Sequence, residues 1–180
     1  MTPEHIHPRR KDRSKDEEWI RSLLHRGGAG VLATIQDGKP VPIPLNYVYV
    51  EDKDAVYLHT GLKGGSRNSF PGPAALSVFE MGRLLPADEA LEFGVEYASV
   101  VVFGQGSVVE DPKEAEAALV SIMEKYAPHL QAGVDYRPVA PEEIRRTAVL
   151  RIDIEGWSGK EKKEAPDFPG AYWFDDVRGE

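Results

Sequence analysis

Apolar residues first recur at helical spacing near the start of the chain, where Trp19, Ile20, Leu23 and Leu24 follow Ser14 and, three residues on, Glu17. The Ser–Glu pair has the form of a capping box, and the spacing predicts a helix over 15–25 that ends at Gly27-Gly28-Ala29-Gly30. Beyond it the period changes to two. Residues 31–35, the turn Asp37-Gly38-Lys39 and residues 41–50 predict one β-hairpin; 41–50, Glu51-Asp52-Lys53-Asp54 and 55–59 predict a second. Pro40, Pro42 and Pro44 alternate with Val41, Ile43 and Leu45. Each proline lacks an amide donor, so this segment belongs at a sheet edge or a bulge. Further strands are expected at 74–80, 97–110 and 148–154, with a bend or bulge at Gly104 or Gly106. Residues 82–96 carry no clear period and read as a loop. Asp111 and Pro112 open a second helix that runs to about Tyr126, with Ala115, Leu119, Ile122 and Met123 on one side.

Five to seven strands joined mostly by short turns describe a mainly β protein, a small antiparallel barrel with flanking helices. Residues 31–80 leave no room for the crossover helices that a parallel sheet needs. With 180 residues, 41% of them hydrophobic, the chain is long enough to bury one core without a disulfide or metal staple. It divides into a tail over 1–14, one domain over 15–160 and a second tail over 161–180. Zero cysteines exclude thiol catalysis, iron–sulfur ligation and cysteine-bound zinc, and favour a cytoplasmic setting. No apolar run approaches the length that spans a bilayer, so no membrane role is expected. The 30 acidic residues outnumber 22 Lys and Arg, for a net charge of −8, which opposes nucleic-acid binding. The basic clusters at 9–13 and 160–163 read as solvated ends of the chain.

Among the five histidines, His5 and His7 could grip a divalent ion only weakly from a tail, and no HExxH spacing occurs, so no metal site is expected. His25 ends the first helix, where it favours the dipole. His59 closes a strand immediately before Thr60-Gly61-Leu62-Lys63-Gly64-Gly65-Ser66-Arg67-Asn68. Glycines that let amides approach an anion, with hydroxyls and two cations beside them, make either a phosphate cradle or a plain surface turn. The segment has neither the Walker nor the GxGxxG spacing.

The order of these segments resembles the pyridoxamine 5′-phosphate oxidase-like FMN-binding split barrels. It runs from Val31-Leu32-Ala33-Thr34 through Pro-Ile-Pro-Leu-Asn-Tyr at 42–47, Val56-Tyr57-Leu58-His59 and the basic loop to Tyr97-Ala98-Ser99-Val100-Val101-Val102-Phe103-Gly104. The nitroimidazole-resistance branch is the most similar. The resemblance implies a six-stranded antiparallel split barrel that forms a homodimer with FMN in two clefts at the subunit interface. It places Ser66 and Arg67 on the phosphate, with Asn68 where the oxidases carry a lysine and with Lys63 as a substitute cation. Thr60 and His59 stand beside them, His59 as the catalytic residue. Pro44, Leu45, Asn46 and Tyr47 would run along the flavin ring or simply form barrel wall, and Trp157 and Lys160 would lie near the cofactor or serve as a latch and a solvated lysine. The implied activity is flavin-dependent electron transfer to a small organic acceptor, with NAD(P)H as a candidate donor. The alternatives are a flavin carrier or sensor without turnover, and a member that binds F420 or haem.

Overall fold

The computed structural model describes residues 9–63 and 65–178, without the side chain of Ser66. His5 and His7 therefore lie outside the described residues. Seven strands form one antiparallel sheet: β1 (Gly30–Gln36), β2 (Lys39–Leu45), β3 (Tyr47–Val50), β4 (Ala55–Gly61), β5 (Gly72–Leu85), β6 (Gly94–Val108) and β7 (Thr147–Lys162). Their order across the sheet is β2-β1-β5-β6-β7-β4-β3. The two outermost strands, β2 and β3, are thus consecutive in the chain and separated only by Asn46. Seven strands laid flat would put them about 29 Å apart, whereas a one-residue connection spans about 7 Å. The sheet must curl until its edges meet, and the result is a barrel split between β2 and β3.

This closure explains why the strand count is seven and not six. The segment expected as one strand over 41–50 breaks at Asn46, because its first half pairs with β1 and its second with β4. The proline-rich half is an edge strand, as its missing donors require. The expected loop over 82–96 is mostly strand, since β5 and β6 extend to Leu85 and from Gly94 around a 3-10 turn at Ala90–Glu92. A register shift between Met81 and Leu84 hides the period-two pattern there. The bulge expected at the glycines falls between Phe103 and Gly104, where a Cβ would collide with the Asp153 carbonyl.

Helix α1 (Glu17–Arg26) seals the barrel with Ile20, Leu23 and Leu24, packed on Leu32, Leu58, Leu76, Val100 and Ile152. Its cap is Asp16, whose Oδ1 accepts from Trp19 N at 2.9 Å. Ser14, two residues too early for that role, bridges Lys160 instead. Helix α2 (Pro112–Tyr126) covers the outside of β3, β4 and β7, setting Ala115, Ala118 and Ile122 on Val48, Ala55, Tyr57 and Val149. Two short helices follow, α3 (Pro141–Ile144) and α4 (Phe174–Val177). Residues 163–178, set apart as a tail by composition, lie against β5 and β6. No helix among the described residues is long and apolar enough to cross a membrane.

Candidate functional site

After β4 the chain makes a 3-10 turn over Gly65–Ser69 that brings Arg67 and Asn68 to the rim of a cleft of about 1310 Å³. Leu62, Phe70, Pro71, Val108 and Val109 supply its apolar walls, and Arg151, Asp153, Glu110, Asp111 and Glu114 its polar ones. The two ends differ in charge. Arg151 is held between Glu114, at 2.7 Å, and Asp153, at 2.8 Å. Glu114 also accepts from the buried Tyr57 hydroxyl at 2.5 Å. That hydrogen bond, then Arg151, lowers the Glu114 pKa, while burial and then the same bond raise that of Tyr57. Asp111 caps α2 through Lys113 N at 3.0 Å. Arg67 has no ion-pair partner among the described residues, which makes it the uncommitted cation of the cleft.

Beside it, Ser69 is 8% exposed and its hydroxyl has no hydrogen-bond partner among the described residues. An unsatisfied buried hydroxyl costs about 1–3 kcal/mol, but Ser69 is not among the residues that line the cleft. A phosphate group fits this end through Arg67 and Asn68, and a flat ring fits the apolar walls. The carboxylate-rich far end does not fit a second anion. The cleft exceeds the roughly 300–1,000 Å³ of a drug-sized pocket, leaving space for two molecules.

The other residues singled out in the sequence scatter. The side chain of Ser66 lies outside the described residues. Lys63 is exposed in the turn after β4, and Thr60 and His59 pair with Ala148 and Val149, His59 exposed. Pro44 is exposed opposite Val31, and Asn46 donates its amide to Gly28 O at 3.3 Å. Leu45 and Trp157 pack on the barrel core, and the Arg21 guanidinium sits 4.7 Å above the Trp157 ring. Tyr47 is fully buried, with its hydroxyl on Leu24 O at 2.8 Å and the Lys125 ammonium 3.6 Å from its ring. Lys160 pairs with Ser99. Of the expected set, one chain brings Arg67 and Asn68 to the cleft. Glu114 and Arg151 were missed: the alternation Arg151-Ile152-Asp153-Ile154 marked an outward charged face, but nothing local pointed to its partner 37 residues earlier.

Residues 16–161 match the model of the pyridoxamine 5′-phosphate oxidase family. The chain belongs to that family. Among solved structures, it is similar to the flavocytochrome Anf3 from Azotobacter vinelandii at TM-score 0.79 and 22% identity, covering 90% of this chain and 75% of that one. A FAD and heme binding protein from Mycobacterium smegmatis gives TM-score 0.76 and 23% identity, with 87% and 76% covered. A proposed 5-nitroimidazole antibiotic resistance protein from Bacteroides thetaiotaomicron gives 0.65 and 22%, with 82% and 84% covered. A search of curated proteins found no match.

Proposed function

We propose that this chain is an FMN-dependent oxidoreductase that passes electrons to a small organic acceptor, a nitroimidazole-type compound among the candidates, in a cytoplasmic setting. The observation that carries the reading is Arg67, without an ion-pair partner among the described residues, beside Asn68 on a cleft large enough for two molecules. Arg67 and Asn68 would hold the phosphate, with Thr60 and Lys63 beside them. A flavin held there would supply the redox chemistry between a donor such as NAD(P)H and the acceptor. The protein's part is to bind, orient and exclude water. Leu62, Phe70 and Val108 would shield the ring, and Glu114 is held ionised by Tyr57 and Arg151. His59, exposed near this end of β4, is the expected contact with cofactor or substrate.

Pro44, Asn46, Trp157 and Lys160 do not line this cleft within one chain. That distribution supports a homodimer, in which a second copy would be needed to bring the exposed members of this set to one cofactor. Tyr47 and Leu45 then serve as barrel wall.

The test begins with the absorption spectrum of the purified protein, where a flavin band supports the reading and a Soret band or an F420 band replaces FMN by haem or deazaflavin. FMN titration into wild type and Arg67→Ala follows. Loss of one charge-assisted contact costs about 1.5–3 kcal/mol, or about 10- to 150-fold in affinity. Equal affinities would remove the phosphate assignment. His59→Ala should lower turnover and leave the melting temperature unchanged, because the side chain is exposed. Flavin that binds but is never bleached by NADH or NADPH, with any acceptor, would make the protein a carrier.

A further inference from the structure

The buried stripe of α2, Ala115, Ala118 and Ile122, continues at helical spacing to Lys125, so the helix sets a lysine on its packed face in the last turn. The ammonium reaches the C-terminal end of α1. Leu24 O, one of the carbonyls that lose their intrahelical donor where α1 stops at Gly27, accepts from Lys125 Nζ at 3.2 Å and from the Tyr47 hydroxyl at 2.8 Å. Nζ lies 3.6 Å from the centre of the Tyr47 ring and 5.4 Å from that of Tyr126. Both rings are fixed, since the Tyr126 hydroxyl accepts from Tyr47 N and donates to Tyr47 O, each at 3.0 Å.

No carboxylate lies within ion-pair distance of Lys125 among the described residues, whereas Lys15 and Lys53 have Glu161 and Glu114. The titratable groups that face it are two phenols, Tyr47 from β3 and Tyr126 from its own helix, and α1 offers a carbonyl. The rings and the carbonyl favour the cation, but they do not replace the water that burial removes. Burial, with no charged group acting beside it, pushes the Lys125 pKa down to about 8 from its ordinary 10.5. The neutral amine still donates to Leu24 O and keeps a lone pair, and the side chain is half-buried, not closed off. A desolvated lysine of this kind is a nucleophile.

We propose that Lys125 is a site of acyl transfer, taking the acyl group of an acyl phosphate onto Nζ. The Nζ lone pair forms the bond to the carbonyl carbon, the carbon–oxygen bond to the phosphate breaks with its electron pair on the leaving phosphate, and the displaced N–H proton passes to water. No carboxylate beside the amine repels the anionic donor. The amide product has no charge to bury and retains one N–H for Leu24 O, so α2 stays joined to α1. The site is independent of the flavin reading. Acetyl phosphate is incubated with the full chain and acetylation is followed at each lysine by peptide mass spectrometry, with the exposed Lys113 of the same helix as reference. Near neutral pH Lys125 should react at least about tenfold faster than Lys113, because each unit of lowered pKa gives about tenfold more neutral amine. Its rate should level off above about pH 8, and in the urea-unfolded chain the two lysines should react alike. The proposal is overturned if Lys125 is acetylated no faster than Lys113 in the folded chain, if its rate does not level off, or if its advantage survives unfolding.

Discussion

Arg67 and Arg151 stand on the same cleft with opposite commitments. Arg151 neutralises Glu114 and Asp153 and helps to fasten α2 to the sheet, so it has little charge left for a ligand. Arg67 follows a glycine-rich turn that carries no carboxylate, and stays uncommitted. Sequence made Arg67 legible because the turn chemistry and the cation are contiguous. It left Glu114 as a helix N-terminal residue, because its contact with Tyr57 joins β4 to α2 across 57 positions. Tyr57→Phe isolates that contact. The hydroxyl is buried, but Glu114 is partly open to water and would be resolvated, so the loss should sit near the lower end for a bond to a charged group, about 1.5 kcal/mol. For a chain of this size that lowers the melting temperature by about 3–6 °C. An unchanged melting temperature would mean that water replaces the bond fully.

At the level of elements, the sequence placed every β-strand except for the division at Asn46, and it missed how far β5, β6 and β7 extend. The extensions contain Gly82, Arg83 and Glu96, residues that spoil an alternating pattern because they serve a different purpose. Glu96 is buried in β6 and accepts from Arg83 at 2.7 and 2.9 Å and from Glu164 N at 2.8 Å. Arg83 also donates to the carbonyls of Ala165 and Pro166, at 2.9 and 2.8 Å. The pair is a clasp that holds the segment after β7 against the sheet. Arg83 chiefly, and then the amides of Glu164 and Arg83, hold the Glu96 carboxyl at about 2 against its ordinary 4.5. A depressed carboxyl stabilises the fold above its unfolded pKa and loses that contribution as pH falls through the folded one. The clasp should therefore hold at pH 5 and above and weaken between about 4.5 and about 2. Hydrogen-exchange protection at the Glu164, Leu84 and Tyr172 amides, taken against the intrinsic rate at each pH, should fall across that window, and Glu96→Gln should show the lower protection already at neutral pH. Protection that is flat with pH would assign the segment's attachment to Tyr172 and its neighbours alone.

For the whole molecule, the outward side of the barrel is the feature that a single chain leaves unexplained. A sheet with one face on a core and the other in water ordinarily alternates apolar and polar residues. In β1 both faces are apolar, since Leu32 is buried while Val31, Ala33 and Ile35 are exposed, Ile35 by 51%. Pro40, Pro42 and Pro44 continue that surface onto β2, exposed opposite Ile35, Ala33 and Val31. An apolar surface of this kind is the expected site of an interface. The same prolines decide its geometry: an edge strand without donors cannot recruit another strand, so two copies can meet through their faces but not through their edges. The expected species is a homodimer of about 40 kDa, twice 19.9 kDa, burying on the order of 800 Å² on each copy. Val31→Asp/Ile35→Asp places two carboxylates of each copy in that contact, where desolvation and repulsion oppose closure, and should return a folded monomer by light scattering with an unchanged far-UV spectrum. If the cofactor needs residues from both copies, the same variant should also lose FMN although Arg67 and Asn68 are intact. A monomeric wild type at micromolar concentration would remove the dimer, whereas a monomeric variant that keeps full FMN affinity would keep the dimer and confine the cofactor site to one chain.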